Sequence, residues 1–179
     1  EAAREKLSAG LAATSRQLQE RFPHGAATPP QKGLSIYASC DTSNDADRGL
    51  EEAQWEGDGV PKQVAGRIGQ AFQFNGKNAR WVIGQPTRFR ADRPFTIAAG
   101  IYTTQASGSI VTQLDEDAAF RGLDFTTHQG KLELHLVHEW PENGIKVTTP
   151  ALVKTNQWHH ALVRYDGSSK VAGVDIFID

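Results

Sequence analysis

The stretch Trp158-His159-His160-Ala161-Leu162-Val163-Arg164-Tyr165-Asp166-Gly167 decides the fold of this chain. It begins with a tryptophan, continues through strand-forming residues and ends at an Asp-Gly pair, which is a turn signal. Because successive side chains of a strand point to opposite faces, this stretch presents two different sides. The side that we expect in the core consists of Ala161, Val163 and Tyr165. The side that we expect outside consists of His160, Leu162 and Arg164.

Similar alternation recurs between residue 34 and the last residue, in short segments separated by turn residues. The predicted strands are 34–39, 70–74, 79–83, 95–103, 109–114, 122–127, 131–137, 145–149, 159–165 and 174–178. Asn75-Gly76 lies between two of them and is a strong hairpin signal. Residues 40–68 are polar and glycine-rich, and are expected to be mostly loop. Strands this short and this numerous predict an all-β fold, a two-sheet antiparallel sandwich.

The first part of the chain differs in character. Residues 1–22 carry apolar side chains at helical spacing and predict an N-terminal α-helical leader. Pro23 ends this helix, because proline disfavours the helical conformation in the residue before it. Residues 23–33 are rich in Pro, Gly and small residues, which is typical of a linker.

Several segments resemble the LamG-like domains of the concanavalin A-like lectin/glucanase group. The segments that carry this resemblance are 69–76 (GQAFQFNG), 93–99 (RPFTIAA), 158–167 and 173–179 (GVDIFID). The resemblance implies a jelly-roll sandwich over residues 34–179. Gly100 stands where the family usually has a tryptophan, which leaves room for a gap or a cleft floor. The family continues beyond the position of Asp179, so we expect the sandwich to be C-terminally incomplete.

A closer likeness concerns residues 120–125, 135–141 and 145–147, which resemble a bacterial subgroup. In that subgroup the jelly roll lies inside large planctomycete-type surface proteins that also carry a cytochrome c domain. The resemblance implies an extracytoplasmic, multidomain protein linked to polysaccharide use. Residues 1–22 would then be the tail of a preceding domain. No Cys-x-x-Cys-His motif occurs, so haem binding is not carried over.

Alternation also predicts a polar outer face. In 122–127 and 131–137 the outward side chains include Asp124 and His135. If these strands share one sheet with 159–165, as the jelly-roll resemblance implies, they converge with outward residues of that strand beside Gly100. A sugar is recognised by planar charged groups for its hydroxyls and by an aromatic ring for its apolar face. The predicted carbohydrate-binding residues are Arg121, Asp124, His135, Trp140, His160 and Arg164.

Structural roles for the same residues stay open. Asp124 and Arg164 can form an ion pair that contributes only about 0–1 kcal/mol at a surface. Trp140 precedes a proline just past a strand, and can instead close the end of the sandwich.

Metal binding is favoured at few positions. His135 and His138 are three apart on a strand and face opposite ways, which disfavours zinc. Residues 41–52 match the spacing of an EF-hand loop, but Ala46 replaces its glycine, and we interpret this as a chance match. Calcium at the acidic turn formed by Asp115, Glu116 and Asp117 stays an open alternative. No other cofactor is expected.

Catalysis is not predicted. Glycoside hydrolysis requires two carboxylates across a cleft, and Glu133 is isolated on its strand. No Gly-x-Ser-x-Gly elbow occurs. Cys40 is the single cysteine and is interpreted as a buried, inert thiol.

Composition and charge limit the classes of partner that we expect for this chain. The net charge is −2 with Lys and Arg spread along the chain, so nothing favours nucleic acid. No apolar stretch is long enough for membrane insertion. The sequence therefore predicts a noncatalytic polysaccharide-binding module within a larger bacterial protein. The alternative is a structural or protein–protein interaction domain that packs against neighbouring domains.

Overall fold

The chain forms short antiparallel strands throughout the part that a computed structural model describes, which is residues 32–41, 47–83 and 89–179. The strands are β1 (Gln54–Glu56), β2 (Lys62–Ala65), β3 (Gln70–Gln73), β4 (Arg80–Val82), β5 (Phe95–Tyr102), β6 (Gly108–Asp115), β7 (Arg121–His128), β8 (Lys131–Glu139), β9 (Asn143–Thr148), β10 (Trp158–Tyr165) and β11 (Val174–Ile178). Two single turns of 3-10 helix, Glu116–Ala118 and Val171–Gly173, interrupt them. The prediction of an all-β fold is confirmed.

Two larger sheets contain most of the strand residues in the part of the chain that the structure describes. One has four strands in the order β6-β7-β8-β9, and the other has three in the order β11-β10-β5. Two smaller pairs, β1-β4 and β2-β3, precede them along the chain. The strand predicted at 34–39 is wrong, because this segment forms only one bridge, between Tyr37 and Arg48.

One hydrophobic core draws on both larger sheets. Its fully buried members include Phe125 and Leu134 from the four-stranded sheet and Val163 from the three-stranded sheet. Among the described residues, the buried members of this core cluster are Leu123, Phe125, Leu132, Leu134, Leu136, Val153, Ala161, Val163, Tyr165 and Val174. Each large apolar side chain contributes about 1.5–3 kcal/mol through burial. The described residues therefore form a β-sandwich-like fold, with the core faces that the alternation predicts.

Tyr165 connects this core to the turn that follows β10. Its ring lies 5.3 Å from the ring of Phe95, and its hydroxyl donates to the backbone oxygen of Ala91. The same hydroxyl accepts a hydrogen bond from the Ser169 amide at 2.6 Å. Gly167 adopts φ +82° between them, where a β-carbon would lie 2.9 Å from the nitrogen of Pro94. Glycine is therefore required at position 167, both because of its positive φ and because a β-carbon would lie too close to Pro94.

The hairpin predicted across Asn75-Gly76 is wrong. β3 pairs with β2, and β4 pairs with β1, so the two strands that flank this turn are not partners. Aromatic packing brings β1 and β4 together, since the rings of Trp55 and Trp81 stack at 5.1 Å. Phe72 meets Trp55 edge-on at 4.7 Å and closes the cluster. Long-range ring contacts have outweighed the local turn signal.

Some predictions lie outside the described residues. They are the helix at 1–22, the linker up to residue 31, and part of the EF-hand-like match at Ser43 and Asp45. Among the residues that the structure describes, none belongs to a helix with the length and apolar character needed to span a bilayer.

Candidate functional site

The predicted sugar-binding residues divide between two surfaces. Asp124 and His135 lie opposite each other on β7 and β8, whereas His160 belongs to β10 in the other sheet. Because the inward neighbours Phe125 and Val163 share one core, the outward side chains of the two sheets point away from each other. The predicted convergence of these residues is therefore wrong. It rested on placing β7, β8 and β10 in a single sheet.

Arg164 pairs with Asp175 and not with Asp124. Its guanidinium lies 2.6 Å from the carboxylate of Asp175 on β11, and both side chains are about half exposed. It also lies over the ring of Phe177 at 5.9 Å. Asp124 instead accepts a hydrogen bond from the hydroxyl of Thr112 at 2.7 Å. An ion pair between Asp124 and Arg164 is thus excluded.

The outer side of β6–β9 carries ordered rows of polar groups, and we call this surface the polar face. One row crosses all four strands through directly paired residues, and a shorter row lies beside it. The first row is Thr112, Asp124, His135 and Lys146, and the second is Thr126, Glu133 and Thr148. Neighbouring strands lie about 4.8 Å apart, so the longer row extends for roughly 14 Å.

Glu133 is the most buried charged group on the polar face, with 4% exposure. One carboxylate oxygen lies 2.9 Å from His135 Nε2, and the other lies 3.1 Å from Lys146 Nζ. The second oxygen also accepts the Thr148 hydroxyl at 2.9 Å. Burial alone would raise the pKa of Glu133, but the Thr148 hydrogen bond and the Lys146 ammonium outweigh it and lower that pKa. Glu133 is therefore held as a carboxylate.

Sequence reasoning treated Glu133 as isolated and missed this network. Its partners Lys146 and Thr148 come from β9, and the strand register brings them alongside. The network could have been predicted from the matching alternation of 131–137 and 145–149, because paired strands place their outward residues on the same face.

His135 forms the base of an aromatic pair. Its Nε2 atom is buried and makes no hydrogen bond of good geometry, although a Glu133 oxygen lies 2.9 Å from it. Its ring stacks with the indole of Trp140, with centroids 5.5 Å apart and planes 26° apart. The imidazole is thus held between a carboxylate at its edge and an indole on its face.

Trp140 lies over the polar face and stays 43% exposed. Its backbone amide donates to the oxygen of Ala119 at 3.0 Å, which fixes the start of the β8–β9 turn. The ring packs close to Gly144, where a β-carbon would lie 3.6 Å from an indole carbon, in ordinary van der Waals contact. Trp140 is not among the buried core residues that the structure describes, and its alternative role, closing the end of the sandwich, stays a prediction.

Arg121 and the acidic turn lie at the margin of this surface. Arg121 donates from Nε to the backbone oxygen of His138 at 3.2 Å. Asp115 accepts from the Ala118 amide at 3.2 Å and so caps the 3-10 turn. Across residues 32–41, 47–83 and 89–179, no group of three or more His, Cys, Asp and Glu side chains is placed to hold a metal ion. Calcium at Asp115 and Asp117 stays a prediction.

His160 lies on the other surface, opposite Gly100 on β5. A β-carbon at Gly100 would have no atom within 4 Å, so the glycine leaves open space beside the imidazole. A cavity of about 620 Å³ lies at His160. The open space at Gly100 therefore lies on the three-stranded sheet, apart from Asp124 and His135.

Cys40 is half-buried. Burial raises the pKa of its thiol, and the nearby carboxylates of Asp47 and Asp41 raise it further. A raised pKa reduces the thiolate fraction and with it the reactivity of the thiol.

No protein-family profile, no curated protein sequence and no solved structure matches this chain. The functional argument therefore depends on the geometry of the described residues.

Proposed function

We propose that this chain is a noncatalytic carbohydrate-binding domain that holds a polysaccharide on the polar face. The observation that carries the proposal is the position of Trp140, a half-exposed indole stacked on His135 at the edge of a row of polar side chains. An exposed aromatic ring beside planar charged groups is the combination that sugar recognition requires.

The groups around Trp140 supply complementary hydrogen-bonding partners. Asp124 offers carboxylate oxygens, of which one already accepts from Thr112. Lys146 is half exposed and retains ammonium hydrogens beyond its contact with Glu133. Acceptor and donor therefore flank His135 in the same row, which matches the alternating donor and acceptor character of sugar hydroxyls.

The same geometry argues for binding without hydrolysis. A glycosidase needs one carboxylic acid that stays protonated, with a raised pKa, opposite a second carboxylate. The pKa of Glu133 is lowered and its side chain is buried, so this group is a poor proton donor. Asp124 accepts a hydrogen bond from the Thr112 hydroxyl, which favours its ionised form.

The wider context of the proposal comes from the sequence. The LamG-like resemblance favours a jelly-roll connection of the strands and a place inside a larger extracytoplasmic bacterial protein. In that setting a binding domain keeps a polysaccharide close to neighbouring domains of the same protein.

Affinity gel electrophoresis with a panel of soluble neutral and acidic polysaccharides tests the proposal. We expect at least one polysaccharide to retard the chain, and Trp140→Ala to abolish the retardation while the melting temperature stays near that of the wild type. Phe177→Ala is the matched control, because Phe177 is 50% exposed on the other sheet. Normal migration of the folded wild-type chain in every gel would reject the proposal.

A second candidate is a domain that packs against other protein domains. It is favoured by two large side chains on the outer side of the three-stranded sheet, Tyr102 and Phe177, which are 47% and 50% exposed. Exposed apolar groups of this kind mark contact surfaces when they are contiguous. Under this reading Phe177→Ala, and not Trp140→Ala, weakens association with neighbouring domains of the parent protein.

A further inference from the structure

The cavity beside Gly100 has a mixed lining of aromatic, cationic and amide groups. The lining residues are Arg67, Gln157, Trp158, His160 and Asp179. They come from the β2–β3 turn, from the start of β10 and the residue before it, and from the residue after β11. Segments that are distant in sequence therefore converge on one space of about 620 Å³ that is largely open to solvent.

Two of the lining groups are already held in place. Asp179 accepts from the His160 backbone amide at 3.0 Å, and its other oxygen lies 2.6 Å from His159 Nδ1. These interactions lower the pKa of Asp179, chiefly through His159. The ring of Trp158 meets that of Tyr102 edge-on, with centroids 5.6 Å apart. The carboxylate and the indole are thus fixed before any ligand enters.

Two other lining groups have unused hydrogen-bonding capacity. Among the described residues, the side chains of Arg67 and His160 make no hydrogen bond or ion pair, and Arg67 interacts only through the field of Asp179. Both carboxylate oxygens of Asp179 are engaged by His159 and the backbone. The guanidinium and the imidazole are therefore the groups in this cavity that remain available to a ligand.

We propose that this cavity binds a sugar residue that carries a carboxylate, a hexuronate. The Arg67 guanidinium presents paired N–H donors that match a carboxylate, and His160 adds a further donor or acceptor. Trp158 offers an apolar surface for the ring. The proposal is independent of the polar face, because it uses the other sheet.

Heteronuclear NMR of the uniformly ¹⁵N-labelled chain tests this assignment with free galacturonate as the probe. We expect millimolar galacturonate to shift the Trp158 indole N–H resonance, and galactose at equal concentration to leave it unmoved. Galactose has the same ring with a hydroxymethyl group in place of the carboxylate, so it isolates the contribution of charge. Equal shifts with both sugars, or none with either, would overturn the proposal.

Variants locate the site. Arg67→Gln should weaken galacturonate binding by about tenfold, the loss expected for one charge-assisted hydrogen bond of about 1.5 kcal/mol. Arg164→Gln is the matched control, because Arg164 is already paired with Asp175 on the same sheet and should bind normally. Equal weakening by both variants would instead indicate nonspecific attraction by positive charge, and would reject the cavity as the site.

Polygalacturonate separates the two sources of the ligand. Shifts with free galacturonate alone identify a monosaccharide site, whereas shifts with both identify recognition of residues within a chain, and either result supports the proposal. Trp140→Ala must leave the Trp158 response intact. Loss of that response in a folded Trp140→Ala chain would overturn the assignment to a separate cavity. Failure of galacturonate binding leaves retardation in polysaccharide gels through Trp140 untouched.

Discussion

The indole of Trp140 stacks on the imidazole of His135, with ring centroids 5.5 Å apart and ring planes 26° apart. The imidazole edge contacts the buried Glu133 carboxylate. The exposed ring is therefore supported by a second ring, and the second ring by a fixed charge. Each layer of this arrangement can be removed separately.

Removing the middle layer should weaken sugar binding without abolishing it. His135→Ala takes away the support of Trp140, and an aromatic pair of this kind contributes about 0.5–1.5 kcal/mol. We expect a loss of affinity of up to about tenfold by titration calorimetry, smaller than for Trp140→Ala. His138→Ala serves as the control, because it removes an imidazole three residues further along the same strand. An unchanged affinity in His135→Ala would show that the stacking has no role in binding.

Glu133 should make stability depend on pH in a defined direction. Its pKa is lowered in the folded chain, so it stabilises the fold above its unfolded pKa of about 4.3. This contribution is lost as the pH falls through the lower folded value. Glu133→Gln should cost about 1–3 kcal/mol at neutral pH, and the difference from wild type should shrink in acid.

Urea unfolding at several pH values measures this effect. The control is Glu56→Gln, because the ion pair of Glu56 with Arg80 is exposed and contributes little. A difference between Glu133→Gln and wild type that stays constant with pH would contradict the assigned charge state.

Two glycines, one in each larger sheet, should differ in how much stability the chain loses when alanine replaces them. Gly122 has φ +139°, and a β-carbon there would overlap the backbone oxygen of Gln113. Gly122→Ala must distort the β6–β7 pairing, and we expect a loss of at least about 1–3 kcal/mol. Gly100→Ala has open space around the new methyl group and should leave the melting temperature nearly unchanged. Equal changes in melting temperature for Gly122→Ala and Gly100→Ala would contradict this difference between the two positions.

Tyr165→Phe tests the anchor of the turn after β10. The substitution keeps the ring but removes the hydroxyl that binds the Ala91 oxygen and the Ser169 amide. Partly buried groups that lose such a partner cost about 1–3 kcal/mol. Tyr102→Phe is the control, since Tyr102 is 47% exposed. Chemical denaturation of both variants distinguishes the anchored hydroxyl from the exposed one.

Sequence alternation was sufficient to predict the core but not the arrangement of the sheets. Ala161, Val163 and Tyr165 are buried as the opening stretch predicts, because a period of two fixes the face of every residue in a strand. The same rule assigns Asp124 and His160 to outer faces, but it contains no information on which strands are neighbours. That choice depends on contacts between residues far apart in sequence.

Local turn signals were reliable only where packing agreed with them. Asp166-Gly167 forms its predicted turn because Tyr165 anchors it to the core. Asn75-Gly76 does not join paired strands, because the stacked rings of Trp55 and Trp81 select a different partner. The Glu133 network was unpredictable for the related reason that two of its members lie on β9, and register is set only when the strands pair.

The division of the outward residues between two sheets has a consequence for how one molecule would behave in a gel of polysaccharide. The Trp140 surface and the Arg67 cavity face opposite directions from one shared core, so an occupant of either leaves the other accessible. Because the two surfaces lie on opposite sides, binding one polysaccharide chain at both would add little affinity. Under the two proposals, one molecule would hold two polysaccharide chains at once, and a solution of the polymers should become more viscous in its presence.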